Sequence, residues 1–419
     1  MDVLLIGSRG REHAMALELK KDPRINTIFC IPGNGGLAGI ATCIKIGVTD
    51  FDKILEFLDD NPNIKLTIVN PDESLSGGLV ELLNSRGHRA FGCNAASAQL
   101  ESSKSFAHNL CKKYGIPSPQ YVVFDDYTRA KKYSQIQKYP LVIKTEGRPA
   151  GKGIMFCRNP KEAETALYDV MIAELFGEAG KKVDIEEFVP GDRVIVMAFT
   201  DGKAIYPLPA VNNYKRVYDG DLGMSTAGMG ASMPVKAYTP EIAKKAYETI
   251  FVPTIEALKA EGIVYQGVIG FSLIVTPDSV KVVDFICRFC DVESQLIFSQ
   301  IKTPLLDLFE AVIDKDLSRL GGIDVTENCG VCVVATSGGY PLEYTKNYKI
   351  SIGEVDHDVR LYHAGTKLVD SELRTSGGRV ITVACWGENI GACSEKVYKN
   401  LQKIYYDGMH YRKDIARTI

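Results

Sequence analysis

The chain has 419 residues, 45% of them hydrophobic, enough apolar side chain for two to four domains with their own cores. Its 49 basic residues stand against 52 acidic ones, a formal charge of −3, so there is no broad positive field for a nucleic-acid scaffold and any phosphate must be handled locally. The opening Met1-Asp2-Val3-Leu4-Leu5-Ile6 has too early an acid and too short an apolar run for a secretory signal, and no later stretch is apolar long enough to span a bilayer; a cytoplasmic protein is expected.

Residues 1 to about 100 alternate short apolar runs with helical patterns. Val3-Leu4-Leu5-Ile6, Ile28-Phe29-Cys30-Ile31 and Leu66-Thr67-Ile68-Val69 are each followed by turn residues, which predicts a parallel α/β domain. After the first run comes Gly7-Ser8-Arg9-Gly10-Arg11-Glu12-His13, leading into a helix expected from about Ala14. The full G-x-G-x-x-G of a dinucleotide site is missing and no acid closes the second strand, which argues against a nicotinamide enzyme. A Gly-rich strand-to-helix turn still offers backbone N–H groups to a phosphate, though alone it reads nearly as well as a plain tight turn.

Between Tyr121 and about Phe188 the pattern changes to β-hairpin and helix, centred on Leu141-Val142-Ile143-Lys144 and Gly151-Lys152-Gly153-Ile154. Two apolar strands joined by a Gly-rich basic loop can fold over a triphosphate and lift away, since glycine permits close approach and hinge angles. No Lys-Ser/Thr pair or helix follows, so this is not a Walker A loop. Asp184-Ile185-Glu186-Glu187-Phe188-Val189 reads as a strand, and Val211 to Met233, with Lys215-Arg216, as a long irregular stretch of the kind that is often functional. The run from Ser279 to Gln295 is a strand pattern carrying acids and an arginine, and alternation puts Asp284, Ile286 and Arg288 on one face. From about Asn328 the chain is β-rich again, then ends in a helix pattern and a polar tail. Cys287/Cys290 and Cys329/Cys332 have C-x-x-C spacing, but residues three apart on a strand point to opposite faces, so reduced thiols are expected rather than zinc ligands.

Taken in order, these segments resemble the glycinamide ribonucleotide synthetases, or phosphoribosylamine-glycine ligases, of purine biosynthesis. The resemblance runs from residue 1 to 419 and is carried by Gly10-Arg11-Glu12-His13, Pro32-Gly33-Asn34, Glu186-Glu187-Phe188, Gly228-Met229-Gly230-Ala231, His363-Ala364-Gly365-Thr366-Lys367 and Arg412-Lys413-Asp414-Ile415. It implies an α/β protein of ATP-grasp fold: an N-terminal parallel α/β domain over 1–103, an ATP-grasp domain over 104–324 with a mobile lid at about 121–188, and a β-rich C-terminal domain over 325–419. It also implies that ATP phosphorylates glycine and that the amine of 5-phosphoribosylamine then attacks the glycyl phosphate. Carried over by position, Lys104 and Lys144 hold ATP phosphates under the Gly151-Lys152-Gly153 loop, and backbone around Glu186, Glu187 and Phe188 meets adenine. Asp284 ligates magnesium (or manganese). Arg288 steers a carboxylate or phosphate and Lys215 comes from a substrate-facing loop, making these two the catalytic candidates. Gly10, Arg11 and Glu12 lie near the ribose phosphate of the amine. The expected partners are small molecules, with no nucleic acid or membrane, and the protein a monomer or weak homodimer.

Several positions depart from that family. Asp284-Phe285-Ile286 stands for Glu-Phe-Asn, and isoleucine has no oxygen for a metal. Asn212-Asn213-Tyr214-Lys215-Arg216 stands for Gln-Asp-His-Lys-Arg, Ala227 for a glycine, Arg193 and Ile195 for glutamate and serine, and Arg9 for a glycine. Three functions therefore stay open: the purine-pathway ligase itself, an ATP-grasp ligase with another acid or amine, and a nucleotide-binding paralogue without turnover.

Overall fold

A computed structural model describes residues 1–146 and 153–417. At the N-terminus five parallel strands lie in the order Thr42–Cys43, Ile28–Pro32, Asp2–Gly7, Ile64–Val69, Ala90–Phe91. The strand Asp2–Gly7 reads as an unbroken apolar run because both its faces are covered. Leu4 and Ile6 enter one core with Ile54 and Leu79, while Val3 and Leu5 enter another with Met15 and Leu19.

The first helix spans Gly10–Leu19, four residues ahead of the expected start. Glu12 begins it early, since its carboxylate accepts the Arg9 backbone N–H at 2.7 Å, one half of a capping box. The polar residues Arg11, Glu12 and His13 are buried in this first turn, which hides it from a reading based on hydrophobic periodicity.

Two four-stranded antiparallel sheets form the middle of the molecule. One runs Tyr121–Phe124, Val183–Glu187, Leu141–Thr145, Ile154–Cys157, and closes its own core around Phe124, Ile143, Leu167 and Ile185. The other runs Ile205–Pro207, Asp192–Thr200, Gly267–Val275, Val280–Ile286. In its last strand Ser272 pairs with Asp284 and Leu273 with Val282, so Val283 is an extra residue in the ladder, a β-bulge.

The bulge and an early strand end correct the expected alternation. The strand stops at Ile286, so Arg288 does not share a strand face with Asp284. The Glu101 carboxylate accepts the Cys287 N–H at 2.5 Å and pairs with Arg288, drawing the chain out of the ladder.

A third sheet, again antiparallel, has the order Asn212–Asn213, Gly230–Met233, Cys329–Thr336, Arg379–Gly387, Val359–His363. The stretch expected to be irregular thus supplies two of its strands, with the hairpin Arg216–Tyr218/Leu222–Ser225 between them. Strands of two to four residues broken by glycine carry too short a pattern to be read as strands.

Candidate active site

The two central sheets meet along the bulged strand, where Lys144 and Glu187 of one reach Val283 and Lys281 of the other. Lys104 opens the helix Lys104–Tyr114, where the Ser103 hydroxyl oxygen accepts the Phe106 N–H at 3.2 Å as N-cap. Its buried ammonium lies 3.6 Å from Asp284 Oδ1. Lys144, at the end of an apolar strand and 4% exposed, pairs with Glu186 Oε2 at 2.6 Å and donates to the Val283 carbonyl at 3.2 Å. Lysines from two separate elements therefore converge on two consecutive residues of one strand.

Glu186 is shared on its other side with His108, whose Nε2 is 2.9 Å from Oε1 and whose ring stacks on Tyr121 at 3.9 Å between centroids. Burial alone would push the Glu186 carboxyl up, but Lys144 and His108 outweigh it and hold the group below its ordinary value. Asp184, two residues back on the same strand face, has no such counterweight. Burial raises it to about 6, with His108 opposing.

Glu187 pairs with Lys281 at 2.6 Å, and Phe188, just past the strand, is 38% exposed with its ring edge-on to Phe156. Gly153 is buried and its carbonyl accepts the Thr145 N–H at 2.9 Å. Gly151 and Lys152 lie outside the described residues.

Two further cations act on Asp284: Arg193, from the strand Asp192–Thr200 two places across the same sheet, and Lys215, from the segment after Asn213. Burial lowers the Lys215 ammonium from its ordinary value; Arg193 adds to this, while Glu293 and Asp284 oppose it. Arg193 is itself lowered by burial, with Asp284 and Glu186 as the attracting charges. Arg193 was noted in the sequence only as a departure from the family, and the structure places its charge beside Lys215. Two further departures face elsewhere: Asn213 donates to Glu293 Oε1 at 2.6 Å, and Tyr214 packs under Arg412 at 5.3 Å with its hydroxyl accepting the Ala416 N–H.

Arg288 and the first helix meet at Phe289, whose carbonyl accepts from both Arg288 and Arg11. Arg288 pairs with Asp72 and, at 3.0 Å, with Glu101. Arg11 and Glu12 turn inward: Arg11 Nε bonds Glu12 Oε1 at 2.8 Å, its other nitrogens donate to the carbonyls of Phe289 and Asn70, and Asn70 donates to Glu12 at 2.6 Å. Gly10 has no room for a side chain, since a Cβ there would sit 2.3 Å from Gln295 Nε2.

Asp291 ties these parts together and was missed in the sequence. One oxygen accepts the Arg11 N–H at 3.0 Å and Gln295 Nε2 at 2.7 Å, and the other pairs with Arg379 of the third sheet at 2.8 Å. Despite burial, Arg379, Arg11 and Arg9 hold its carboxyl below the ordinary range. Nothing local in the sequence announces the pairing, because Arg379 is 88 residues away.

Family models for phosphoribosylglycinamide synthetase match nearly the whole chain: the N domain over residues 1–101, the ATP-grasp (A) domain over 102–294 and the C domain over 330–418. The phosphoribosylamine–glycine ligase of Clostridium acetobutylicum is 37% identical over 418 residues, which cover 100% of both chains. The solved structure of phosphoribosylamine–glycine ligase from Thermotoga maritima is 27% identical with a TM-score of 0.84, covering 99% of this chain and 100% of that one. A biotin carboxylase from Campylobacter jejuni shares the fold at a TM-score of 0.74 and 16% identity, over 97% of this chain and 92% of that one. With three matching domains in order and more than a third of residues identical over the full length, this chain belongs to the phosphoribosylglycinamide synthetase family and has the ATP-grasp fold.

Proposed function

We propose that this chain is an ATP-dependent ligase joining the carboxylate of glycine to the amine of 5-phosphoribosylamine. The observation that carries this reading is the convergence of Lys104 and Lys144 on Val283 and Asp284, in a chain that matches phosphoribosylamine–glycine ligases end to end. A carboxylate is a poor electrophile, so the protein must let one of its oxygens attack the γ-phosphorus of ATP. The bond to ADP breaks and an acyl phosphate forms. The amine nitrogen then attacks the acyl carbon, the C–O bond to phosphate breaks, and the amine loses a proton.

Both steps move negative charge between bound groups, so positioning and charge neutralisation account for most of the catalysis. Lys104 and Lys144 would hold the phosphates. Arg193 and Lys215, half-buried cations, would face the transferring group and the acid. Arg288, held by Asp72 and Glu101, would orient a carboxylate or phosphate through its planar fork. Backbone after Glu186 would meet the adenine. Arg11 and Glu12, fully engaged with each other, would act by shaping the turn before the helix rather than by touching the amine substrate.

Magnesium fits the residues present. Asp284 offers a carboxylate that is 26% exposed, and this ion is commonly held by one or two carboxylates with phosphate oxygens and waters completing the octahedron. Ile286 adds no oxygen, so Asp284 and the nucleotide would hold the ion, which supplies charge neutralisation at the phosphates.

The test is ADP release with magnesium, ATP, glycine and phosphoribosylamine. Turnover that needs all four supports the proposal. Turnover only with another acid or amine, or saturable ATP binding with no turnover, would replace it with one of the two other readings left open by the altered residues.

A further inference from the structure

We propose that His108, Asp184 and Glu186 form a binding site for a transition-series divalent cation, separate from Asp284. His108 Nε2 lies 2.9 Å from Glu186 Oε1 and 3.6 Å from Asp184 Oδ2, and one ligand atom from each residue falls within 4.8 Å of the others. Ligand bonds of about 2.0–2.2 Å to zinc put neighbouring donor atoms roughly 3.3 Å apart, so small side-chain adjustments complete the site. Among the described residues this is the single cluster of three histidine, cysteine or acidic side chains with such spacing.

The independent observation is Asp184. It is fully buried, and neither of its oxygens has a hydrogen-bond partner; Glu186 Oε1 also lacks one of good geometry. Leaving a carboxylate buried without compensation costs several kcal/mol, roughly, and such groups pair or bind metal. Lys144 does not fill the need, because it is committed to the other Glu186 oxygen and to Val283. A protonated His108 would serve Glu186 and still leave Asp184 beyond hydrogen-bond reach.

The three ligands sit on rigid elements. Asp184 and Glu186 alternate onto one face of the strand Val183–Glu187, where Lys144 and Tyr121 stand opposite them in register. His108 projects from the helix Lys104–Tyr114 with its ring clamped by Tyr121. An imidazole with two carboxylates suits zinc, cobalt or manganese better than magnesium or calcium, which take oxygen ligands. Three protein ligands leave a position for water. Such an ion would fasten the helix to the strand Val183–Glu187 beside Lys144.

The experiment is titration of the metal-stripped full-length chain, without nucleotide, with Co²⁺ followed by visible absorption and with Zn²⁺ followed by calorimetry. One equivalent should bind with an imidazole-type spectrum, and Asp284→Asn should leave that binding intact. Asp184→Asn and His108→Gln should each weaken it by more than an order of magnitude while the metal-free variants keep the parent circular dichroism. If Asp184→Asn does not fold, His108→Gln decides alone. Absence of stoichiometric binding, binding indifferent to both substitutions, or binding lost with Asp284→Asn would each overturn the site.

Discussion

The Lys144 ammonium reaches the Val283 carbonyl because Val283 is the residue that the neighbouring strand skips. A regular ladder would have offered that carbonyl to Gly267–Val275; the bulge leaves it to the sheet that holds Leu141–Thr145, where Lys144 donates to it at 3.2 Å. One lysine thus bridges the two central sheets.

Replacing that lysine is the most direct test of the phosphate site. Lys144→Met keeps the length of the side chain and removes the charge, so ATP affinity should fall about tenfold or more, corresponding to roughly 1.5–3 kcal/mol for a charged hydrogen bond. Nucleotide titration of the folded variant gives the answer, and an unchanged dissociation constant would remove Lys144 from the site.

Restoring an oxygen beside Asp284 should strengthen metal binding. Ile286→Asn places an amide carbonyl two residues along the strand, so half-maximal ATP binding should be reached at lower magnesium concentration. A magnesium dependence identical to that of the parent would count against Asp284 as a ligand.

Asp291 should be worth more to stability than any surface acid. Asp291→Ala strands Arg379 and Gln295 in a buried place, which typically costs about 3–5 kcal/mol. Chemical denaturation should show this, whereas removing the exposed Glu178, which pairs with Lys181 at 2.5 Å, should scarcely move the midpoint. Equal effects at both positions would show that Asp291 does not clamp the domains together.

Acid should weaken the contact between the first helix and the third sheet. Burial holds His13 at about 3, with His363 adding to the shift, and burial holds His363 at about 4, while the unfolded chain takes up these protons near 6.5. Both folded values are depressed, so this stability is present above pH 6.5 and lost as pH falls toward 4, on the order of 1.4 kcal/mol per unit for each histidine. His13 Nδ1 accepts the His363 N–H at 2.9 Å, a bond that needs the neutral ring. Urea unfolding at pH 7 and pH 5 should therefore show a smaller loss in His363→Gln than in the parent chain; parallel losses would mean that other groups carry the acid sensitivity.

Much of the fold was legible in the sequence where local pattern and burial agree. Val3-Leu4-Leu5-Ile6 is apolar on both faces because it is covered on both, and Lys144 stands near the end of an apolar strand and reaches the facing sheet. Where strands are only two to four residues long, as at Asn212–Asn213 and its partner Gly230–Met233, the pattern is too short to register, and the Cys329–Thr336 strand that continues the sheet from Gly230–Met233 lies far along the chain. Arg288 was placed on the strand because alternation continues on paper past Ile286, whereas Glu101 ends it in space.

By itself the order of residues determined the family, the alternation of strand and helix, and the lysines at the ends of apolar or capped elements, since each depends on neighbours within a few positions. Tertiary structure alone decided that Arg11 and Glu12 spend their charges on each other, that Arg193 joins Lys215, and that His108 meets Asp184. Those outcomes depend on which charges folding buries together, and that is set by contacts between distant segments, such as His108 with Asp184 and the Arg11 N–H with Asp291, where no local pattern reaches.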